Sequence, residues 1–203
     1  KDALDLYRFD EASQVIYQFL WYRFCDWYLE ILKFLVSHGN NDKTSLLASY
    51  EKALTGILKV LHPFMPFITE ELSELIINKK EEYLIDNKWE LKEQKPEDGS
   101  KLQWLIDLVS SVRSVRGETG LSPKEKLSVY LVDPDNSEEK LSGWSFLALG
   151  LGNLNSLSFL DSKPELKACS LVVKGEKEIY IDLTGLIDIE KEVVRIDKAI
   201  KNA

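Results

Sequence analysis

At 203 residues, with 44% hydrophobic residues and a net charge of −8, the chain can hold one large globular domain or two small ones. No run of about 18 apolar residues occurs, so no membrane span is expected, and the acidic balance argues against a protein coated in basic charge for DNA or RNA. Cys25 and Cys169 are the two cysteines, far apart and outside any CxxC pair; reduced thiols in a cytosolic protein are the simplest reading, with a single disulfide the alternative.

The opening, KDALDLYRFDEAS, is charged and lacks the apolar core of a signal peptide, and it reads as the interior of a longer polypeptide. Residues 1–8 look like the tail of a helix. Asp10 is a suitable N-cap for a second helix from Glu11, in which Ala12, Val15, Ile16, Phe19, Leu20, Arg23, Trp27, Ile31 and Leu35 recur at three and four. Six aromatics fall between Phe19 and Tyr28, and Gly39–Asn40 is the expected stop. A third helix is predicted over Ser45–Leu61. In HPFMPFITEEL at 62–72, Pro63 disfavours helix at His62, and Pro66 suits the first turn of a fourth helix, whose positive end Glu70 and Glu71 would face. Residues 78–100 are polar and read as a surface loop. A fifth helix is predicted over Lys101–Arg116, ended by Gly117 and Gly120.

The period then changes. KLSVYLV alternates like a strand, Ser137–Leu149 can form a helix, LNSLSFL is a second strand, and CSLVVKGEKEIYIDL is a hairpin turning near Gly175. Strands are expected near 127–132, 155–160, 169–174 and 178–183. From Leu186 a helical period returns at Ile189, Val193, Ile196 and Ile200, which could start a coiled coil but spans about two heptads, short of the three or four that mark one. The fold class expected is mainly α: a helical bundle, then a small α+β region, then the start of a C-terminal helix or coiled coil.

No catalytic constellation stands out. His38 and His62 have no ligand-spaced partners, no glycine-rich phosphate loop is present, and no metal site is expected. Residues 101–126 carry five basic against three acidic side chains, a local excess of positive charge. At 100° per residue, Arg113 and Arg116 continue the stripe of Leu102, Leu105, Ile106 and Val109 at the last turn of the fifth helix, with Lys124 and Lys126 just beyond. The arginines either brace the end of the core, through a carboxylate or by snorkelling, or meet phosphate or a base at the bundle edge. Phe19, Phe24, Trp27 and Ile31 read as core. Some of Trp21, Tyr22 and Tyr28 should be partly exposed; beside Arg23, exposed aromatics would offer a stacking surface for unpaired bases, or pack on a further domain.

Three segments, YRFDEASQVIYQFLWYRFCDWYLE at 7–30, LHPFMPFITEEL at 61–72 and VRSVRGETGLSP at 112–123, resemble the C-terminal part of the valyl-tRNA synthetase family, class I aminoacyl-tRNA synthetases. The resemblance implies a helical anticodon-binding domain over 1–125, a small α+β region over 126–185 and the start of a coiled-coil arm over 186–203. Ser73 departs from the tryptophan common in the family. The isoleucyl enzymes share the helical domain and its proline-broken helix; FCDWYLE favours the valyl ones. The resemblance also implies upstream catalytic and editing domains, so this chain alone should neither activate valine nor hold ATP, which the whole enzyme uses. Its expected partner is the valine-accepting tRNA, read at the anticodon loop, and not DNA or a membrane. Arg113, Arg116, Lys124, Lys126, Trp21, Tyr22 and Arg23 are the candidate contacts by charge and geometry. A helical protein-interaction module is the rival from another class.

Overall fold

A computed structural model describes residues 2–38, 42–77, 83–86, 99–132, 142–174 and 177–188, together with Glu190, Val193 and Lys201. The chain forms two compact units, Lys1–Lys95 and Pro96–Ala203. The resemblance implied a division after residue 125; the boundary of the compact units falls ahead of the fifth long helix, which lies in the same unit as the sheet.

In the first unit, α1 (Asp2–Asp5) is followed by a turn at Tyr7, whose φ of 55° leads the chain into α2 (Phe9–Phe19). Arg8 holds the cap position; Asp10, expected there, sits inside the first turn, where its carbonyl accepts from Ser13 Oγ at 2.8 Å. The helix runs on through a π-helical stretch, Leu20–Tyr28, into α3 (Leu29–His38). The wider i→i+5 turn changes which residues share a face. Phe24 is buried against Tyr28, ring centroids 5.2 Å apart, whereas Phe19, expected in the core, is exposed, and Trp27 and Ile31 are half-buried.

Asp42 caps α4 (Lys43–Leu61), accepting from the Thr44 amide at 3.0 Å. α5 (Pro66–Ile77) starts on proline at a position that needs no amide donor. His62 keeps helical torsions despite Pro63, because its amide still reaches the Leu58 carbonyl at 2.9 Å. The corner is locked by buried Thr69. Its hydroxyl donates to the Met65 carbonyl at 2.8 Å and lies 2.8 Å from His62 Nδ1. A hydroxyl has one proton, so His62 Nδ1 donates to it. Glu70 has a tertiary partner. Its two carboxylate oxygens accept from the Leu84 amide at 3.0 and 3.2 Å, fixing the 3₁₀ turn Leu84–Asp86 with Leu84 buried. A stretch that reads as plain loop therefore returns one residue to the core. Ser73 is buried on α5.

In the second unit α6 (Ser100–Thr119) precedes β1 (Leu127–Val132), a 3₁₀ turn at Ser142–Trp144, α7 (Ser145–Leu151), β2 (Leu154–Leu160), β3 (Cys169–Lys174) and β4 (Lys177–Asp182). The sheet order is β2-β1-β4-β3; β1 and β2 are parallel, the other pairs antiparallel. α7 is the crossover that a parallel pair needs. Leu127, Val129, Leu131, Ile179 and Ile181 alternate onto one face and are buried, as are Leu105, Leu108, Val109 and Val112 of α6. The strands fall within a residue of those expected. The helix expected over Ser137–Leu149 is described only from residue 142, and the C-terminal helix expected from Leu186 lies largely outside the described residues. Among the described residues no helix is long and apolar enough to cross a membrane.

On the other face Tyr130 pairs with Tyr180 across β1 and β4. The Tyr180 hydroxyl donates to Glu178 Oε2 at 2.6 Å, and this bond, with burial and the carboxylate charge, pushes its pKa up to about 12 from 10.0. The folded state therefore holds the proton more tightly than the unfolded one. The stability this contributes is complete below pH 10 and is lost as pH rises through about 12. Tyr180→Phe should flatten the fall in melting temperature over that interval; an unchanged profile would show that the bond does not persist in solution.

Candidate nucleic-acid interface

Four of the seven candidate contacts lie in the second unit, on the last turns of α6 and the turn that follows. Helix α6 continues past Gly117 and stops at Gly120, whose φ of 67° and amide bond to the Arg116 carbonyl form a left-handed cap; the Leu121 amide reaches the same carbonyl at 3.0 Å. The buried face of α6 runs through Leu105, Leu108, Val109, Val112, Val115 and Arg116. Arg113 lies outside it and is exposed, as are Lys124 and Lys126.

Arg116 is a correction to the expected set. It is 8% exposed. Its Nη1 donates to the carbonyls of Ser122 at 3.0 Å and Glu125 at 2.6 Å, and its Nη2 to those of Gly152 at 3.2 Å and Asn153 at 3.1 Å. Burial lowers the guanidinium pKa, opposed by the Glu125 carboxylate. With both Nη groups engaged on four carbonyls and the side chain buried, the guanidinium is not presented to a phosphate or a base. The two arginines do not share a face: three residues turn the side chain by about 60°, enough to put Arg113 in solvent and Arg116 inside. The bracing role holds for Arg116, through backbone carbonyls rather than a carboxylate.

Two of the four acceptors come from a stretch that carried no sequence signal for this role, Gly152–Asn153 between α7 and β2. Asn153 sits at φ 48°, and its side-chain amide donates to the Pro123 carbonyl at 2.8 Å. Gly152 is needed for close approach: a Cβ there would lie 2.9 Å from the Ala148 carbonyl oxygen and 3.0 Å from Leu154.

The other three candidates lie in the first unit. Trp21 and Tyr22 are 53% and 56% exposed on the π-helical stretch, and Arg23 is also exposed. Trp21 stacks on Tyr17, rings 3° from parallel with centroids 6.3 Å apart. Tyr17, itself exposed, went unremarked in the sequence, although its spacing of four from Trp21 is a helical neighbour distance. The same unit has an open cleft of about 400 Å³ lined by Phe67, Glu70, Glu71, Glu74, Tyr83 and Ile85 beside His62. Its three carboxylates would repel phosphate, so RNA is not expected there.

The model of the anticodon-binding domain of tRNA ligase matches residues 1–131, through all of α6 and most of β1. Valine–tRNA ligase of Thermotoga maritima is 35% identical over 203 residues, covering 98% of this chain and 22% of that protein. The valine–tRNA ligases of Agrobacterium fabrum and Clostridium tetani are each 35% identical, over 98% and 97% of this chain and 21% and 23% of theirs. The chain thus spans about a fifth of the length of the relatives it matches. With a family match over more than half its residues, the chain belongs to the anticodon-binding domain family of tRNA ligases.

Proposed function

We propose that this chain is the anticodon-binding part of a valine–tRNA ligase, and that it acts by recognition rather than by chemistry. The observation that carries this reading is the family match over 1–131 together with three valine-specific relatives aligned over nearly the whole chain. Those relatives favour valine over isoleucine. Exposed Arg113, Lys124 and Lys126 in one unit, and Trp21, Tyr22 and Arg23 in the other, are the side-chain types that hold a single-stranded loop: cations for phosphate, rings and guanidinium planes for unstacked bases. On this reading the catalytic and editing domains belong to the rest of the same polypeptide, which joins valine to its tRNA in the cytoplasm with ATP. The contribution of this part is affinity and tRNA identity, holding the acceptor end at the distant catalytic domain.

Arg113→Ala in the full-length ligase should weaken tRNA binding by about 1–3 kcal/mol if the guanidinium reads a base. Valine activation should be unchanged, because activation needs no anticodon contact. Lys124→Ala should act more mildly and mainly through the salt dependence. Binding titrations and pyrophosphate exchange on the same preparations check both. Unchanged tRNA affinity in the Arg113 variant would remove that residue from the interface, and a preference for isoleucine-anticodon tRNA would overturn the assignment to valine.

A further inference from the structure

The turn Ser122–Lys126 joins α6 to β1, and all five of its residues are exposed. Exposed turns are ordinarily free to move. This one is held from beneath. Arg116 Nη1 grips the carbonyls at both ends of Ser122–Glu125, and Asn153 Nδ2 grips the Pro123 carbonyl between them. Within the turn, the Glu125 amide donates to the Ser122 carbonyl at 3.1 Å and the Lys124 amide to Ser122 Oγ at 3.3 Å. Through Nη2 the same guanidinium is anchored to Gly152 and Asn153, on the junction between α7 and β2. Helix end, turn and sheet are therefore fixed to one another by a single buried cation.

Burying a guanidinium on carbonyls is costly in desolvation, and an apolar side chain would pack the same space without that cost. An apolar side chain could not fix the path of the exposed backbone. Lys124 and Lys126 project positive charge from this turn, two residues apart, with exposed Glu125 between them. Ordering a flexible loop on binding costs affinity, and a loop already ordered in the free protein avoids that cost.

We propose that Arg116 and Asn153 are positioning residues for RNA binding: a buried clamp that presets the Ser122–Lys126 turn so that Lys124 and Lys126 meet adjacent phosphates of the tRNA. The inference rests on the anticodon-recognition reading above. It gives Arg116 an indirect role in place of the direct contact expected from the sequence.

The test is the affinity of the full-length ligase for its tRNA between 50 and 200 mM salt. Lys124→Ala/Lys126→Ala should lower the slope of log Kd against log salt by about 1.5, the signature of two lost phosphate contacts. Arg116→Lys keeps the charge, but its compact ammonium cannot reach four carbonyls in a fork. Asn153→Gly tolerates the positive φ and removes only the donor. Both should reproduce most of the slope loss while the folded protein melts well above the assay temperature. Adding either to the double-lysine variant should change nothing further, since residues acting through one contact are not additive. Parental slope in both clamp variants, or full additivity with the lysine changes, would overturn the clamp. If Arg116→Lys does not fold, Asn153→Gly decides alone. If the double-lysine variant itself keeps parental affinity and slope, the turn is not an RNA contact. The clamp then falls with it, and Arg113→Ala shows whether the wider reading survives.

Discussion

Arg116→Met is expected to destabilise the Pro96–Ala203 unit by about 3 kcal/mol. The methionine retains the stem's packing and removes every donor. The Ser122 carbonyl keeps a partner in the Glu125 amide, but those of Glu125, Gly152 and Asn153 lose the guanidinium. Water reaches the exposed turn and recovers part of the loss, and the guanidinium no longer pays its desolvation cost. The net effect is therefore one or two charged hydrogen bonds rather than four. In a unit of this size it corresponds to a drop on the order of 10 °C in melting temperature. Urea or thermal unfolding of the variant measures it; parental stability would mean that the four bonds do not form in solution.

Leu108→Ala should cost a similar or larger amount, about 3 kcal/mol, by opening a cavity on the inner face of α6. Leu108 is 0% exposed, between other fully buried residues of the helix. Leu102→Ala on the same helix should cost less than about 1 kcal/mol, because Leu102 is 39% exposed. The contrast is informative, since the sequence stripe included Leu102 and omitted Leu108. Equal losses in a matched unfolding experiment would contradict the observed orientation of α6.

These residues show what the sequence made legible. The change from a three-or-four period to a two-residue period located all four strands, because alternation survives as long as one sheet face is buried. Proline at the start of α5 was equally plain. The orientation of α6 was not. Trp104, Leu105, Ile106, Leu108 and Val109 are all buried, so the helix is apolar over most of its circumference, and a single stripe is a poor guide to such a helix. That error put Arg113 on the buried stripe beside Arg116, although Arg113 is exposed. The π-helical stretch had the same effect on Phe19, because a three-or-four stripe presumes an unbroken α-helical turn. Tertiary partners were also beyond local pattern: Glu70 finds the Leu84 amide fourteen residues on, and Arg116 finds the Gly152 and Asn153 carbonyls 36 and 37 residues on. Of the seven candidate contacts, six are exposed, and the seventh supports the turn that carries two of them.

The central claim, that this part of the polypeptide engages the anticodon loop, is tested most directly by nuclease and chemical footprinting of valine tRNA. The ligase is compared with its Lys124→Ala/Lys126→Ala variant under identical salt. The account predicts protection of the anticodon loop by the parent and its selective weakening in the variant, with protection of the acceptor end retained. An anticodon loop that stays fully reactive in the parent complex would contradict it.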